Sequence, residues 1–309
     1  MLEICEKQYG NWGRCVCLSD GKIEMLITLD FGPRIISFGP VGGENILFED
    51  KEDKSNAYAY KEASDKLFGA ESGVWHIYGG HRLWVSPESV PETYYPDNEP
   101  VDYKKIENGI ILTPPPQKGV NFQLSMEITM EKDNSFKIIH KVQNIDKVSK
   151  TYAPWALTVM SQNGTAVVPV PTRETGLIEN RHLVLWPYTK MTDPRVTWGD
   201  KYIVLKQDPE NEDKFKLGQL SQHGWIAYFN HGGVFVKKFD INEDEKHPDR
   251  NCNTELFTSS LMLEAESIGV YGEVAPNMTA THTEYWSYFC SAEIPANEAE
   301  MDAFAEKFI

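Results

Sequence analysis

Short apolar runs with a two-residue period recur along this chain, and that period limits its fold more than any other feature of the sequence. The runs cover residues 22–29, 34–38, 110–113, 121–130, 135–142, 202–206, 224–229, 234–239, 260–266 and 281–289, and Gly, Asn, Asp and Pro bound them. Alternation of this kind sends successive side chains to opposite faces of a strand. Turn signals separate neighbouring runs: Asn108-Gly109 before Ile110, Lys132-Asp133-Asn134, and His231-Gly232-Gly233. Asn108-Gly109 is the strongest, because a type I′ hairpin turn needs positive φ at both central residues and Asn-Gly tolerates it best. Helical signal is scarce. Pro295 can start a helix over 296–308, with Ala299, Met301, Ala303, Phe304 and Phe308 at compatible positions, and 59–67 is a weaker candidate. The expectation is an all-β fold, a large antiparallel β-sandwich with a short C-terminal helix.

At 309 residues and 41% hydrophobic content the chain can close a sizeable core. Sandwiches often run to ~200–250 residues as one unit. The polar stretches 49–56, 208–214 and 242–250 lack the length and Gly/Ser bias of a linker. One domain over 1–309 is therefore expected. A net charge of −16 without a Lys/Arg cluster argues against nucleic acid and against an anionic membrane surface. The start has no secretory leader pattern and no run reaches ~18 apolar residues, so a cytoplasmic location is expected. Five cysteines, with Cys15 and Cys17 on one strand face, fit reduced thiols better than a disulfide framework. The oligomeric state is left open.

No G-x-x-x-x-G-K-[ST], G-x-G-x-x-G or G-x-S-x-G occurs, which removes the usual support for nucleotide and serine-hydrolase chemistry. No cofactor is expected. His140, His182, His223, His231, His247 and His282 are dispersed and give no metal-ligand spacing. No transition metal is expected, while the acidic loop 242–249 leaves calcium open without EF-hand spacing.

Chemistry concentrates in two segments. Residues 73–88 hold Trp75, His76, Tyr78, His81, Arg82, Trp84 and Glu88 around Gly79-Gly80. Sugar sites use such a mixture, since aromatic faces stack on a pyranose while charged and amide groups bond its hydroxyls. A hairpin with core tryptophans and merely hydrogen-bonded histidines uses the same residues. In the second segment Glu264 and Glu266 share one strand face, with Leu261, Leu263 and Ala265 on the other. Two adjacent carboxylates raise one member's pKa and can supply a general base or acid. An exposed strand edge is the plainer reading of that pair.

Together these segments resemble the galactose mutarotase-like superfamily, and within it an uncharacterised bacterial domain-of-unknown-function group. Asp30-Phe31-Gly32-Pro33-Arg34-Ile35 with Asn45-Ile46-Leu47 is similar to the superfamily's opening hairpin. Gly79-Gly80-His81-Arg82-Leu83-Trp84 with Pro87-Glu88 is similar to a segment of the uncharacterised group. Asn253-Thr254-Glu255-Leu256-Phe257, Leu263-Glu264-Ala265-Glu266 and His282-Thr283-Glu284-Tyr285-Trp286 are similar to its closing pattern. The resemblance implies a carbohydrate ligand and chemistry of the aldose 1-epimerase type. It implies Glu264 as base on the anomeric hydroxyl, with Glu266 as the alternative, and His81 as acid at the ring oxygen. His76, Arg82, Trp84, Glu88, Glu255 and Glu266 are the implied substrate contacts. Epimerases carry a histidine in mid-chain, where this sequence reads Tyr152-Ala153-Pro154-Trp155-Ala156-Leu157. The acid must then be His76 or His81, or the protein binds sugar without turning it over.

Overall fold

A computed structural model of the chain describes residues 2–53, 60–131, 135–241 and 244–309. Among these residues two antiparallel sheets pack face to face. The first, of eleven strands, runs Glu3–Gln8, Arg14–Ser19, Ile23–Thr28, Ile35–Pro40, His81–Ser86, Lys150–Met160, Leu263–Ile268, Thr254–Thr258, Phe215–Gln219 and Leu183–Leu185. Gly272–Val274 pairs beside Lys150–Met160. The second, of ten, runs Val196–Trp198, Tyr202–Lys206, Thr165–Pro169, Trp225–Asn230, Gly233–Phe239, Thr279–Cys290, Phe136–Asn144, Phe122–Met130, Gly109–Thr113 and Asp102–Ile106. This is the all-β sandwich that the alternation implies. No helix among the described residues is long and apolar enough to cross a membrane.

The two-residue period is cleanest in the second sheet. Along Phe136–Asn144 buried and half-buried residues alternate without a break, so Phe136, Ile138, His140 and Val142 point inward. Phe38 meets Phe136, Phe235 and Trp286 edge to face at 5.9, 5.8 and 5.4 Å. Each large side chain buried there contributes about 1.5–3 kcal/mol. Leu263–Ile268, in contrast, is buried at every position. Both of its faces are covered, because Trp75, Ile77 and Tyr94 pack on the outer side of the first sheet with Trp84, Trp155, Leu157 and Ile268.

Two turns depart from or sharpen the sequence reading. The centre of the turn before Gly109–Thr113 is Glu107 and Asn108, since Ile106 pairs with Gly109. Asn108 alone is left-handed there (φ 52°). Gly109 stands instead where a Cβ would lie 2.0 Å from the Ile128 carbonyl oxygen, so glycine is needed for close approach and not for a type I′ turn. The two left-handed residues of a type I′ turn occur at His231 and Gly232 (φ 52° and 68°), between the paired Asn230 and Gly233. The turn at 132–134 lies outside the described residues.

The C-terminal helix spans Glu298–Phe308. The Asn297 side chain accepts from the Glu300 N–H, and Met301 and Phe304 bury against the outer face of the second sheet. The weaker candidate forms Lys61–Phe68, with Ala59 outside the described residues. Cys15 and Cys17 share a buried face with Trp12, Leu26 and Ile36. Burial pushes their thiols up to about 12 and about 11, well away from thiolate reactivity.

Candidate active site

Strand alternation sorts the predicted residues into two groups. In His81–Ser86, Arg82 and Trp84 point to the outer face of the first sheet and His81 and Leu83 point into the sandwich. The register then builds the outer face. Leu157 stands opposite both Arg82 and Glu266, Trp155 opposite Trp84, Val159 opposite Glu264, Glu255 opposite Glu266, and Lys216 opposite Phe257. Four strands thus deliver Arg82, Glu264, Glu266, Glu255 and Lys216 to one place.

Two cations are held there between tryptophans. The Arg82 guanidinium lies 4.2 Å from the ring of Trp84 and 5.4 Å from that of Trp75, and its Nη2 donates to Glu264 Oε1 at 3.0 Å. Lys216 Nζ lies 5.0 Å from Trp155 and 4.7 Å from Trp186, 2.6 Å from Glu255 Oε2 and 3.2 Å from Glu266 Oε2. Trp155 Nε1–H donates to the same Glu266 oxygen at 2.8 Å. Tyr188, 40% exposed, packs edge-on against Phe257 at the rim. Asp249 adjoins Ser86 and Glu255. Arg82 Nε and Nη1, Trp75 Nε1 and Glu266 Oε1 are buried and make no hydrogen bond among the described residues.

Glu255 and Glu266 face each other across one ammonium. Burial raises both carboxyls, well above the usual range for Glu255, and the Lys216 charge opposes the rise. One ammonium cannot hold two buried carboxylates ionised at equal ease, so the second of the pair ionises less readily than the first. Lys216 itself would lose its proton through burial, but Glu266 and Glu255 raise its pKa and keep it charged. The outer face therefore combines an Arg82-paired carboxylate with two buried carboxyls whose affinity for a proton is raised.

His81 is not part of this face. It is fully buried between the sheets, and the placement removes it as acid to Glu264. His140 donates from Nδ1 to the His282 carbonyl at 3.1 Å, which leaves its Nε2 to accept from His81 Nε2–H at 2.7 Å. His81 Nδ1 then accepts from the Thr158 hydroxyl at 2.9 Å. Glu284 accepts from Lys237 at 2.7 Å, from the Ser267 hydroxyl at 2.6 Å and from Trp286 Nε1–H at 2.9 Å, and His282 reaches Ser267 Oγ at 2.6 Å. His81, His140 and Glu284 bring three possible ligand atoms within 4.8 Å of one another, a grouping that the dispersed histidines concealed. Their hydrogen bonds and the Lys237 ammonium already engage the atoms of this set.

Burial depresses all three imidazoles, His282 to about 3. The unfolded chain takes up these protons near pH 6.5 and the folded chain does not, so this contribution to stability is full above that pH and is lost as pH falls. The raised Glu255 and Glu266 act in the opposite sense, which makes a variant comparison necessary. Between pH 7.0 and 5.5 wild type should lose about 1 kcal/mol more than His282→Asn in urea unfolding. Equal losses would remove the buried neutral imidazole from this account.

Of the other predicted contacts, Arg82, Trp84, Glu255 and Glu266 stand with Glu264. Glu88 lies at the edge, accepting from the Tyr94 hydroxyl, whose ring packs on Trp75 and Trp84 at 5.2 and 5.1 Å. His76 is separate: it pairs with Asp53 at 3.0 Å and stacks on Tyr78, beside Trp12 and Phe31. Lys216 and Tyr188 escaped the sequence reading, in which Trp186 reads as core packing and Asp249 as part of the acidic loop 242–249. A lysine inside the otherwise apolar run Phe215-Lys216-Leu217-Gly218 was the available signal for the first.

The fold has known relatives. A galactose mutarotase-like protein from Lactobacillus casei ATCC 334 is 10% identical, with 89% of this chain and 99% of that one covered at a TM-score of 0.54. A protein provisionally assigned as an aldose 1-epimerase from Klebsiella pneumoniae subsp. pneumoniae MGH 78578 is 11% identical, with 98% and 86% covered at 0.59. Against a TPR-domain containing protein from Parabacteroides distasonis ATCC 8503, 13% identical at 0.55, the match takes in 92% of this chain but only 49% of that one, so the chain spans about half its length. At these identities the likeness establishes the galactose mutarotase-like fold. No curated protein matches the sequence. The model of one family, described as "Domain of unknown function (DUF4380)", matches residues 91–289, and the chain belongs to that family.

Proposed function

We propose that this chain binds a carbohydrate on the outer face of the first sheet and interconverts its anomers, as an aldose 1-epimerase does. One observation carries the reading: within a tryptophan-lined cluster, Arg82 Nε and Nη1, Trp75 Nε1 and Glu266 Oε1 are left without a hydrogen bond among the described residues. A polyhydroxyl ligand supplies several donors and acceptors at once, and aromatic walls suit the C–H face of a pyranose.

Anomer exchange opens the ring by removing the O1 proton and protonating O5, then reverses the step on the other face. Glu264 is the base, with Arg82 holding it in place. Glu266 is the acid. Its Oε2 already receives Trp155 and Lys216, which leaves Oε1 as the atom that would carry a proton and pass it to the sugar. Glu264 and Glu266 sit two residues apart on one strand face, a spacing suited to neighbouring atoms of one sugar ring. The near-complete burial of Glu255 and Glu266 favours a second reading, a sugar-binding protein without turnover.

A panel of neutral aldoses in a thermal-shift assay tests the binding step. A ligand at a hundred times its Kd stabilises by about 2.7 kcal/mol, a rise of several degrees in Tm. NMR exchange between the anomers of each hit separates the two readings. Stabilisation with unaltered exchange moves the protein to the binding class, and no stabilisation by any sugar overturns both.

A further inference from the structure

We infer that a cavity beside the cluster is a second sugar subsite, so that the chain takes the reducing end of an oligosaccharide and not a free monosaccharide. The inference rests on the outer face being a carbohydrate site. The cavity has a volume of about 500 Å³ and is lined by Trp84, Ser86, Thr93, Gln117, Phe122 and Lys150 among others. That volume falls within the roughly 300–1,000 Å³ of small-molecule sites.

Position is the first argument. Trp84 and Ser86 belong to both spaces: the Trp84 ring covers Arg82, and Ser86 adjoins Asp249. The end of His81–Ser86 is therefore a wall shared by the two. Chemistry is the second. Phe122 and Tyr152 meet edge to face at 5.0 Å and supply an aromatic side, while Thr93 and Gln117 supply neutral polar groups. Lys150, the cation of the cavity, is already bound. Its Nζ lies 3.0 Å from Asp146 and 4.7 Å from the Phe122 ring, and it donates to the Val120 carbonyl. Its charge is therefore offset, and the cavity suits an uncharged hydroxylated ligand better than a phosphate.

The reaction supplies the third argument. Exchange of anomers needs a free hydroxyl at C1, so only a reducing-end residue can react beside Glu264. Every further sugar must leave that residue through another oxygen. A cavity sharing a wall with the cluster receives it, and no glycosidic bond breaks.

Calorimetric titration of glucose against maltose, cellobiose and lactose, which all end in a reducing glucose, reads the subsite directly. At least one disaccharide should bind about tenfold more tightly than glucose. Thr151→Trp and Ser89→Trp, each at an exposed lining position, fill the cavity from two sides. Either should erase that gain and leave glucose affinity unchanged. Glucose binding without any disaccharide gain, or a gain that survives both fillings, overturns the subsite while leaving the cluster intact. Failure of all four sugars to bind overturns the subsite, and failure of every sugar in the thermal-shift panel overturns the carbohydrate reading with it.

Discussion

Glu264→Gln should abolish most of the anomer exchange while sugar binding survives. Glutamine keeps the shape of the side chain and an oxygen for Arg82 Nη2, which lies 3.0 Å from Glu264 Oε1, but it cannot take the O1 proton. Loss of a general base costs about 10²–10⁴-fold, or roughly 3–5 kcal/mol of barrier. Glu266→Gln should cost a comparable factor, because the amide has no proton of carboxylic acidity to give to O5. His81→Asn is the control. His81 is enclosed between the sheets with His140 and Thr158, so its replacement should change stability and leave exchange within a few-fold of wild type. Exchange at saturating sugar in these three variants decides the roles. Wild-type rates in Glu264→Gln would remove it as base, and a deep loss in His81→Asn would return the acid to the other side of the sheet.

Lys237→Met should destabilise the fold by about 3–5 kcal/mol. Lys237 is fully buried, with Nζ 2.7 Å from Glu284 and within reach of the Ala265 and Ala156 carbonyls at 3.0 and 3.4 Å. Burial on its own would raise the Glu284 carboxyl, but Lys237 and the three imidazoles hold it far below the usual range. Methionine fills the volume and withdraws the charge, which leaves a carboxylate in the core with only neutral donors. Lys237→Met/Glu284→Gln should recover much of the loss, since a buried pair is costly chiefly when it is broken. Urea unfolding of the two single variants and the double variant measures the coupling. Additive losses would mean that the pair is held apart by water or by another ion.

The alternation in the sequence was enough to read the sandwich, since it sorts the side chains of each strand without knowledge of its neighbours. The same rule, applied to two adjacent residues, separates His81 from Arg82. Grouping both with Glu264 passes over that rule, which applies here because Ala156 and Leu157 pair with Leu83 and Arg82 and fix 81–86 as a strand. Glu264 and Glu266 were legible as a pair because they lie two residues apart. Lys216 was not, because its place depends on Phe215–Gln219 pairing with Thr254–Thr258, and short-range pattern carries no information on that register. Trp186 and Tyr188 follow a three-residue strand, Leu183–Leu185, and depend on the same long-range pairing.

Four of the chain's eight tryptophans, at 75, 84, 155 and 186, surround the two caged cations. The Trp84 ring lies 5.2 Å from that of Trp75 and 5.5 Å from that of Trp155, close enough for their electronic transitions to couple. A guanidinium or ammonium against an indole face also shifts its emission. The intrinsic fluorescence and near-ultraviolet dichroism of the folded chain are thus weighted towards one small region. Any molecule that enters it reports its own arrival optically, without a label.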